Sequence, residues 1–199
     1  VVIKPSGMPS DETKQGVEGT VFHVLKTHFN YSYLQLVHRL DMDTSGVMVL
    51  SKTPAATKEL NRQFRERLVE KQYFTLVQGY PEPPDDIIET YLIRDPEDPR
   101  KFVSHPSEGK KSISRYRTLE RQDDRTLLEV EILTGRTHQI RVHMSERGHP
   151  VIGDRYYSNT SNSSGSRLML HAGTLTFNCP RTGERMTFRS PMPAEFNCD

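Results

Sequence analysis

From Lys71 to Gln78 the chain sets Tyr73, Thr75 and Val77 on one side and Phe74 and Leu76 on the other. A two-residue period is that of a strand and not of a helix, so this stretch commits the sequence to a sheet. Further strands are predicted at Val47 to Ser51, Ile87 to Ile93, Ser112 to Leu119, Thr126 to Leu133, Leu168 to Phe177 and Arg185 to Arg189. The last two are joined by a hairpin through Pro180-Arg181-Thr182-Gly183. Strands outnumber helices, and the expected fold is α+β: a largely antiparallel central sheet with a few helices on its faces.

Helical spacing is found in three places. Gly19 to Phe29 carries Val21, Val24, Leu25 and His28 at that spacing. Thr53 followed by Pro54 is an N-cap with proline at the first helical position. It opens a helix whose apolar stripe runs through Ala56, Leu60, Phe64 and Leu68 and whose opposite side presents Arg62 and Arg65. After Thr134-Gly135, Thr137 is predicted to cap a helix from His138 to Arg147, ended by Gly148 with Pro150 just beyond.

The 199 residues suit one large domain or two tight subdomains. With no internal repeat and no long linker, a single catalytic domain over residues 1–199 is expected; Ser158 to Ser166 reads as a polar surface loop. Apolar runs such as Val47-Met48-Val49-Leu50 fall far short of the roughly 20 residues a spanning helix needs. Val1-Val2-Ile3 is too short for the core of a signal peptide, and the start reads as trimmed. Cys179 and Cys198 are expected as reduced thiols in a cytoplasmic protein, and the sequons at Asn30, Asn159 and Asn162 are discounted.

A net charge of +1 conceals an uneven distribution. Glu82 to Asp98 holds seven acids against Arg94 alone, a balance of −6 that leaves about +7 on the remainder. Basic residues gather at Arg62-Arg65-Arg67-Lys71, Lys110-Lys111-Arg115-Arg117 and Arg136-Arg141-Arg147. They form a candidate phosphate-binding face, against the plainer reading of solvated charge on strand and helix exteriors.

Two clusters have the composition of a reactive site. The first, His38-Arg39-Leu40-Asp41-Met42-Asp43-Thr44-Ser45-Gly46, is a polar loop between apolar flanks. An aspartate there can be nucleophile, base or turn residue; Asp43 reads first as a turn residue, while Asp41 stays open between the two roles. The second runs from Thr134 to Met144 and carries Arg141 one turn into its helix, able to fix a carboxylate by a bidentate pair that keeps it ionised. Tyr73, beside Lys71, reads first as a core aromatic. His138 and His143 are five residues apart, about 140° out of phase on a helix, unlike an HExxH pair. A zinc hydrolase is therefore a weak alternative, and no P-loop, dinucleotide or nucleophile-elbow motif occurs.

Beyond generic chemistry, His38-Arg39-Leu40-Asp41 followed by Thr44-Ser45-Gly46 resembles the signature of the RluA family of RNA pseudouridine synthases. The resemblance continues through Lys4-Pro5-Ser6-Gly7, Arg62-Gln63-Phe64-Arg65-Glu66-Arg67, Lys71-Gln72-Tyr73, Thr134 to His143, Gly148-His149-Pro150, Gly153-Asp154 and Leu170-His171-Ala172, nearly the whole chain. Ile3, where the family usually has asparagine, and the stretch from Gly7 to Thr20 depart from it.

The resemblance implies isomerisation of a uridine in RNA to pseudouridine, in a tRNA anticodon stem-loop, in large-subunit rRNA or in both, with no cofactor and no metal. It implies a mixed, mostly antiparallel sheet in two lobes with flanking helices and a central active cleft. It matches Asp41 to the catalytic aspartate, Tyr73 to the active-site tyrosine and Arg141 to the arginine that pairs with the aspartate. Arg39 matches the residue that fills the space left by the extruded base. His38, Thr44, Arg62, Arg65, Arg136 and His138 are the remaining expected RNA contacts. A monomer with RNA as its partner, no accessory S4-like domain and no membrane is expected. The competing reading is a non-catalytic RNA-binding module with the same cleft.

Overall fold

The computed structural model describes residues 1–12, 16–158 and 167–196. Asn159, Asn162, most of the polar tract after Ser158 and Cys198 lie outside these residues, while Cys179 is a free thiol. In chain order the first part carries β1 (Val2–Lys4), α1 (Val21–His28), β2 (Gln35–Leu36), β3 (Ser45–Met48), β4 (Leu50–Ser51) and α2 (Pro54–Arg65). There follow β5 (Glu70–Gln78), β6 (Asp85–Arg94), β7 (Phe102–His105), β8 (Lys110–Gln122), β9 (Arg125–Ile132), α3 (Gln139–Glu146), β10 (Leu170–Asn178) and β11 (Arg185–Arg189). The fold is α+β, its strand pairs mostly antiparallel and its helices few. No helix among the described residues is long and apolar enough to cross a membrane.

Two compact units divide the chain, residues 1–71 with 172–191, and residues 72–171 with 192–199. In the first, β1 pairs antiparallel with β3, β10 lies next to β3, and β11 pairs antiparallel with β10. Both helices begin as their sequences dictate: the Thr20 hydroxyl accepts the His23 N–H at 3.1 Å, and the Thr53 hydroxyl accepts the Ala56 N–H at 3.2 Å ahead of Pro54. Leu60 of α2 is buried with Val47, Val49, Val69, Leu175 and Phe177, and Phe64 packs alongside. The apolar stripe stops there. Arg67 takes a left-handed backbone, φ 60°, the helix ends at Arg65, and Leu68 is 40% exposed rather than part of the inward face.

In the second unit the strand order is β5-β9-β8-β6-β7, with Tyr73 and Tyr116 both opposite Val130 and Ile88 opposite Ser114. On the solvent side, charges pair across the strands: Arg115 with Glu131 at 3.2 Å, Arg117 with Glu129 at 2.9 Å and Lys111 with Glu89 at 2.5 Å. The opposite side receives α3. There His143, buried, reaches Thr90 Oγ1 and Ser114 Oγ, each at 3.0 Å. Burial first, and then Arg147, push its imidazole down to about 4.

The start of α3 differs from expectation. Its N-cap is His138, in a left-handed conformation at φ 58°, and no side chain caps it in the usual way. Thr137 is not the cap. Gln139, the first helical residue, instead ties down the segment leading into the helix: its Oε1 accepts the Arg136 N–H at 3.0 Å and the Thr134 hydroxyl at 2.7 Å, and its Nε2 donates to the Ile113 carbonyl and Ser114 Oγ.

Candidate active site

Asp41 sits in the turn that leads into β3, half-buried, its backbone carbonyl accepting the Thr44 N–H at 3.1 Å. The neighbouring carbonyls are held from the start of the chain. Ser10 Oγ donates to the Leu40 carbonyl at 2.7 Å and accepts the Leu40 N–H at 3.2 Å. Lys4 Nζ donates to the Met42 carbonyl at 2.7 Å, and Ser6 Oγ to the Asp43 carbonyl at 2.7 Å. Every carbonyl from Leu40 to Asp43 is thus engaged, which fixes the backbone from which the Asp41 side chain projects. Lys4-Pro5-Ser6-Gly7 is legible as a motif, but the partners of its side chains are not. The available signal was a lysine closing an apolar strand, a place where a cation is buried only if its donors are satisfied.

In the second unit, Tyr73 is buried in β5 on the face it shares with Thr75, whose hydroxyl donates to the Met169 carbonyl at 2.9 Å. Arg141 is buried in α3 and is indeed fixed by a carboxylate in bidentate fashion. That carboxylate is Asp154: Nε to Oδ2 is 2.7 Å and Nη2 to Oδ1 is 2.8 Å. Asp154 Oδ1 also accepts the N–H groups of Tyr156 and Tyr157, and the Arg141 guanidinium lies over both tyrosine rings, 5.4 and 5.2 Å from their centroids. The Gly153-Asp154 pair was legible as a motif, but nothing in the spacing named it as the arginine's partner.

The expected RNA contacts fall into two groups. Arg39 and Arg65 are exposed, and Arg65 makes only a long contact of 3.8 Å with Glu66. Arg62 is held by Glu59 on one side and Glu66 on the other, so its charge is already matched. Hydrogen bonds from Arg62 and then Gln63 hold the Glu59 carboxyl down to about 2. Arg136, half-buried, donates through Nε to the Lys111 carbonyl at 3.0 Å, and His138 meets the Tyr157 hydroxyl at 2.8 Å while its ring stacks on Tyr156.

Of the remaining expected contacts, Thr44 is buried and His38 is half-buried. Thr44 is 2% exposed, its hydroxyl buried without a hydrogen-bond partner. His38 accepts the Val49 N–H on Nε2 at 3.0 Å and stacks on Phe64. Burial, with a lesser effect of Lys71, pushes its imidazole down to about 3, so it is neutral near pH 7. Among the described residues no three His, Cys, Asp or Glu side chains come together to hold a metal ion.

The family described as RNA pseudouridylate synthase matches residues 1–146. The chain belongs to that family. Within it, the dual-specificity RNA pseudouridine synthase RluA of Escherichia coli O157:H7 is 42% identical over 199 residues, an alignment covering 96% of this chain and 88% of that protein. An uncharacterised RNA pseudouridine synthase of Aquifex aeolicus is 39% identical over 213 residues, covering 98% of this chain and 67% of its own. The solved structure of human RNA pseudouridylate synthase domain containing 4 superposes with a TM-score of 0.79 at 25% identity, covering 98% of this chain and 85% of that one. The RluA resemblance read from the Asp41 loop is therefore a family membership, and it places this pseudouridine synthase among isomerases acting on RNA.

Proposed function

We propose that residues 1–199 act as one catalytic domain, a monomer in the cytoplasm, that converts a specific uridine of a tRNA anticodon stem-loop, of large-subunit rRNA or of both to pseudouridine. Asp41 is the catalytic aspartate. It promotes cleavage of the N1–C1′ bond, either by attack at C1′ or by taking the C2′ proton; the base turns over, C5 bonds to C1′, and the C5 proton is exchanged for one on N1. Atoms balance without any added reactant. Tyr73 stacks on the uracil and assists removal of the C5 proton. Arg141, aligned by Asp154 through Nε and Nη2, is the arginine that serves the catalytic aspartate. Arg39 enters the stack where the uridine left it, and Arg65, Arg136 and His138 contact the RNA backbone; His38 and Thr44 act on the loop from within.

The observation that carries this reading is the family match over residues 1–146, with Asp41 in a turn whose carbonyls are all held. Incubation with tRNA stem-loops and rRNA fragments, followed by carbodiimide mapping, tests it. A single resistant adduct is expected with the natural sequence and none with Asp41→Asn, RNA affinity being retained. Binding without any adduct from the natural sequence favours the non-catalytic module, and retained activity in Asp41→Asn moves the role to Asp43.

A further inference from the structure

Lys4 is 1% exposed, and its side chain ends against three backbone carbonyls: Pro5 at 2.8 Å, Met8 at 2.7 Å and Met42 at 2.7 Å. The antiparallel register of β1 on β3 sets Lys4 opposite Gly46, which brings its ammonium under the turn that precedes β3. Three carbonyls match the three N–H groups of an ammonium. Two of them lie within four residues of Lys4 and travel with it, whereas Met42 is 38 residues away and belongs to the turn that carries Asp41.

We infer that Lys4 is a positioning residue for the Asp41 turn, and that loss of one proton from its ammonium releases the Met42 carbonyl and with it the aim of the Asp41 side chain. The inference rests on Asp41 being catalytic. A neutral amine keeps two N–H groups for three carbonyls, so one buried acceptor is left without a donor. The tie at risk is the one that spans two separate segments, because the other two acceptors are carried by the same short stretch as the amine.

The charged groups set against this amine are Asp43 and Asp41, both from the turn itself. Burial disfavours the ammonium more than these two carboxylates favour it, and Lys4 is lowered from 10.5 to about 8. The ammonium form and its three bonds therefore prevail below this value and are lost as the pH rises through it. Ser6 and Ser10, which hold the Asp43 and Leu40 carbonyls, do not titrate. The turn thus loosens at its centre and not at its ends.

Two measurements test this. In the free protein, the carbonyl carbon shift of Met42 and the amine nitrogen shift of Lys4 are followed from about pH 7 to about pH 9.5, and one common midpoint near 8 is expected. In single-turnover isomerisation of a tRNA stem-loop, the natural rate falls through the same midpoint. Lys4→Met binds the RNA as before but turns over about 10²-fold more slowly, the scale expected for a catalytic group misplaced by an ångström, and its rate no longer falls across that range. A Met42 carbonyl that does not respond, or a folded Lys4→Met with the natural rate and pH slope, overturns the inference. The first measurement needs neither variant nor RNA: it decides the clasp even if Lys4→Met fails to fold. Absence of turnover by the natural sequence counts against the proposed function, not against the clasp.

Discussion

Asp154 grips Arg141 along the whole Nε–Nη2 edge of its guanidinium, at 2.7 and 2.8 Å, with side-chain exposures of 0% and 6%. Removing one member of a buried pair leaves the other charge unmatched, at a cost of about 3–5 kcal/mol. Asp154→Ala is expected to lose stability on that scale, measured as a fall in the urea midpoint at unchanged slope. Asp154→Asn, which keeps an acceptor for Tyr156 and Tyr157, is expected to lose less.

Gly46 stands at φ 119°, and a Cβ there would meet the Ala172 carbonyl oxygen at 2.2 Å. Gly183 also has a positive φ, 76°, but stands in open space. Gly183→Ala is therefore expected to cost only backbone strain, about 1–3 kcal/mol. Gly46→Ala adds to such strain the displacement of a neighbouring backbone, and a clearly larger fall in denaturation midpoint distinguishes the two.

Arg65 and Arg62 share a helix and differ in their partners. Arg65, 72% exposed and only distantly paired, is free to meet a phosphate, while Arg62 is held between Glu59 and Glu66. Arg65→Gln is expected to weaken RNA binding and reduce the slope of log K against log salt by about 1. Arg62→Gln is expected to change that slope less. Titrations at three or more salt concentrations separate them.

Acid should unfold this protein partly through its histidines. His143 and His38 titrate at about 4 and about 3 in the folded chain and at 6.5 when unfolded. Between those values the unfolded state binds more protons, so the stability present above about pH 6.5 is lost as the pH falls toward 4 and then 3. The loss is on the order of a few kcal/mol for each. His143→Gln is expected to be less stable at neutral pH and to lose stability less steeply between pH 6.5 and 4.

How far the sequence could be read depended on the reach of each contact. β11 was expected at its observed limits, Arg185–Arg189, because a polar hairpin marks its start, and α2 was expected to begin at Pro54 because Thr53-Pro54 is a local cap. Strands β1, β2 and β7, of three, two and four residues, are too short to establish a period. At the site, Asp41, Tyr73 and Arg141 were named from motifs. The ties between Lys4 and Met42 and between Arg141 and Asp154 were not, since chain spacing does not tell one carboxylate or carbonyl from another. The surroundings of Thr44 and His38 were not legible for a related reason: a polar residue in a polar motif says nothing about which way it faces.

The pairing of Arg115 with Glu131, Arg117 with Glu129 and Lys111 with Glu89 has a consequence for traffic along the enzyme. A surface whose cations already have anions across the ladder gathers no excess potential, and a polyanion sliding over it sheds few condensed ions and gains little from lingering. Being electrically quiet, such a strand face offers little hold for unproductive capture.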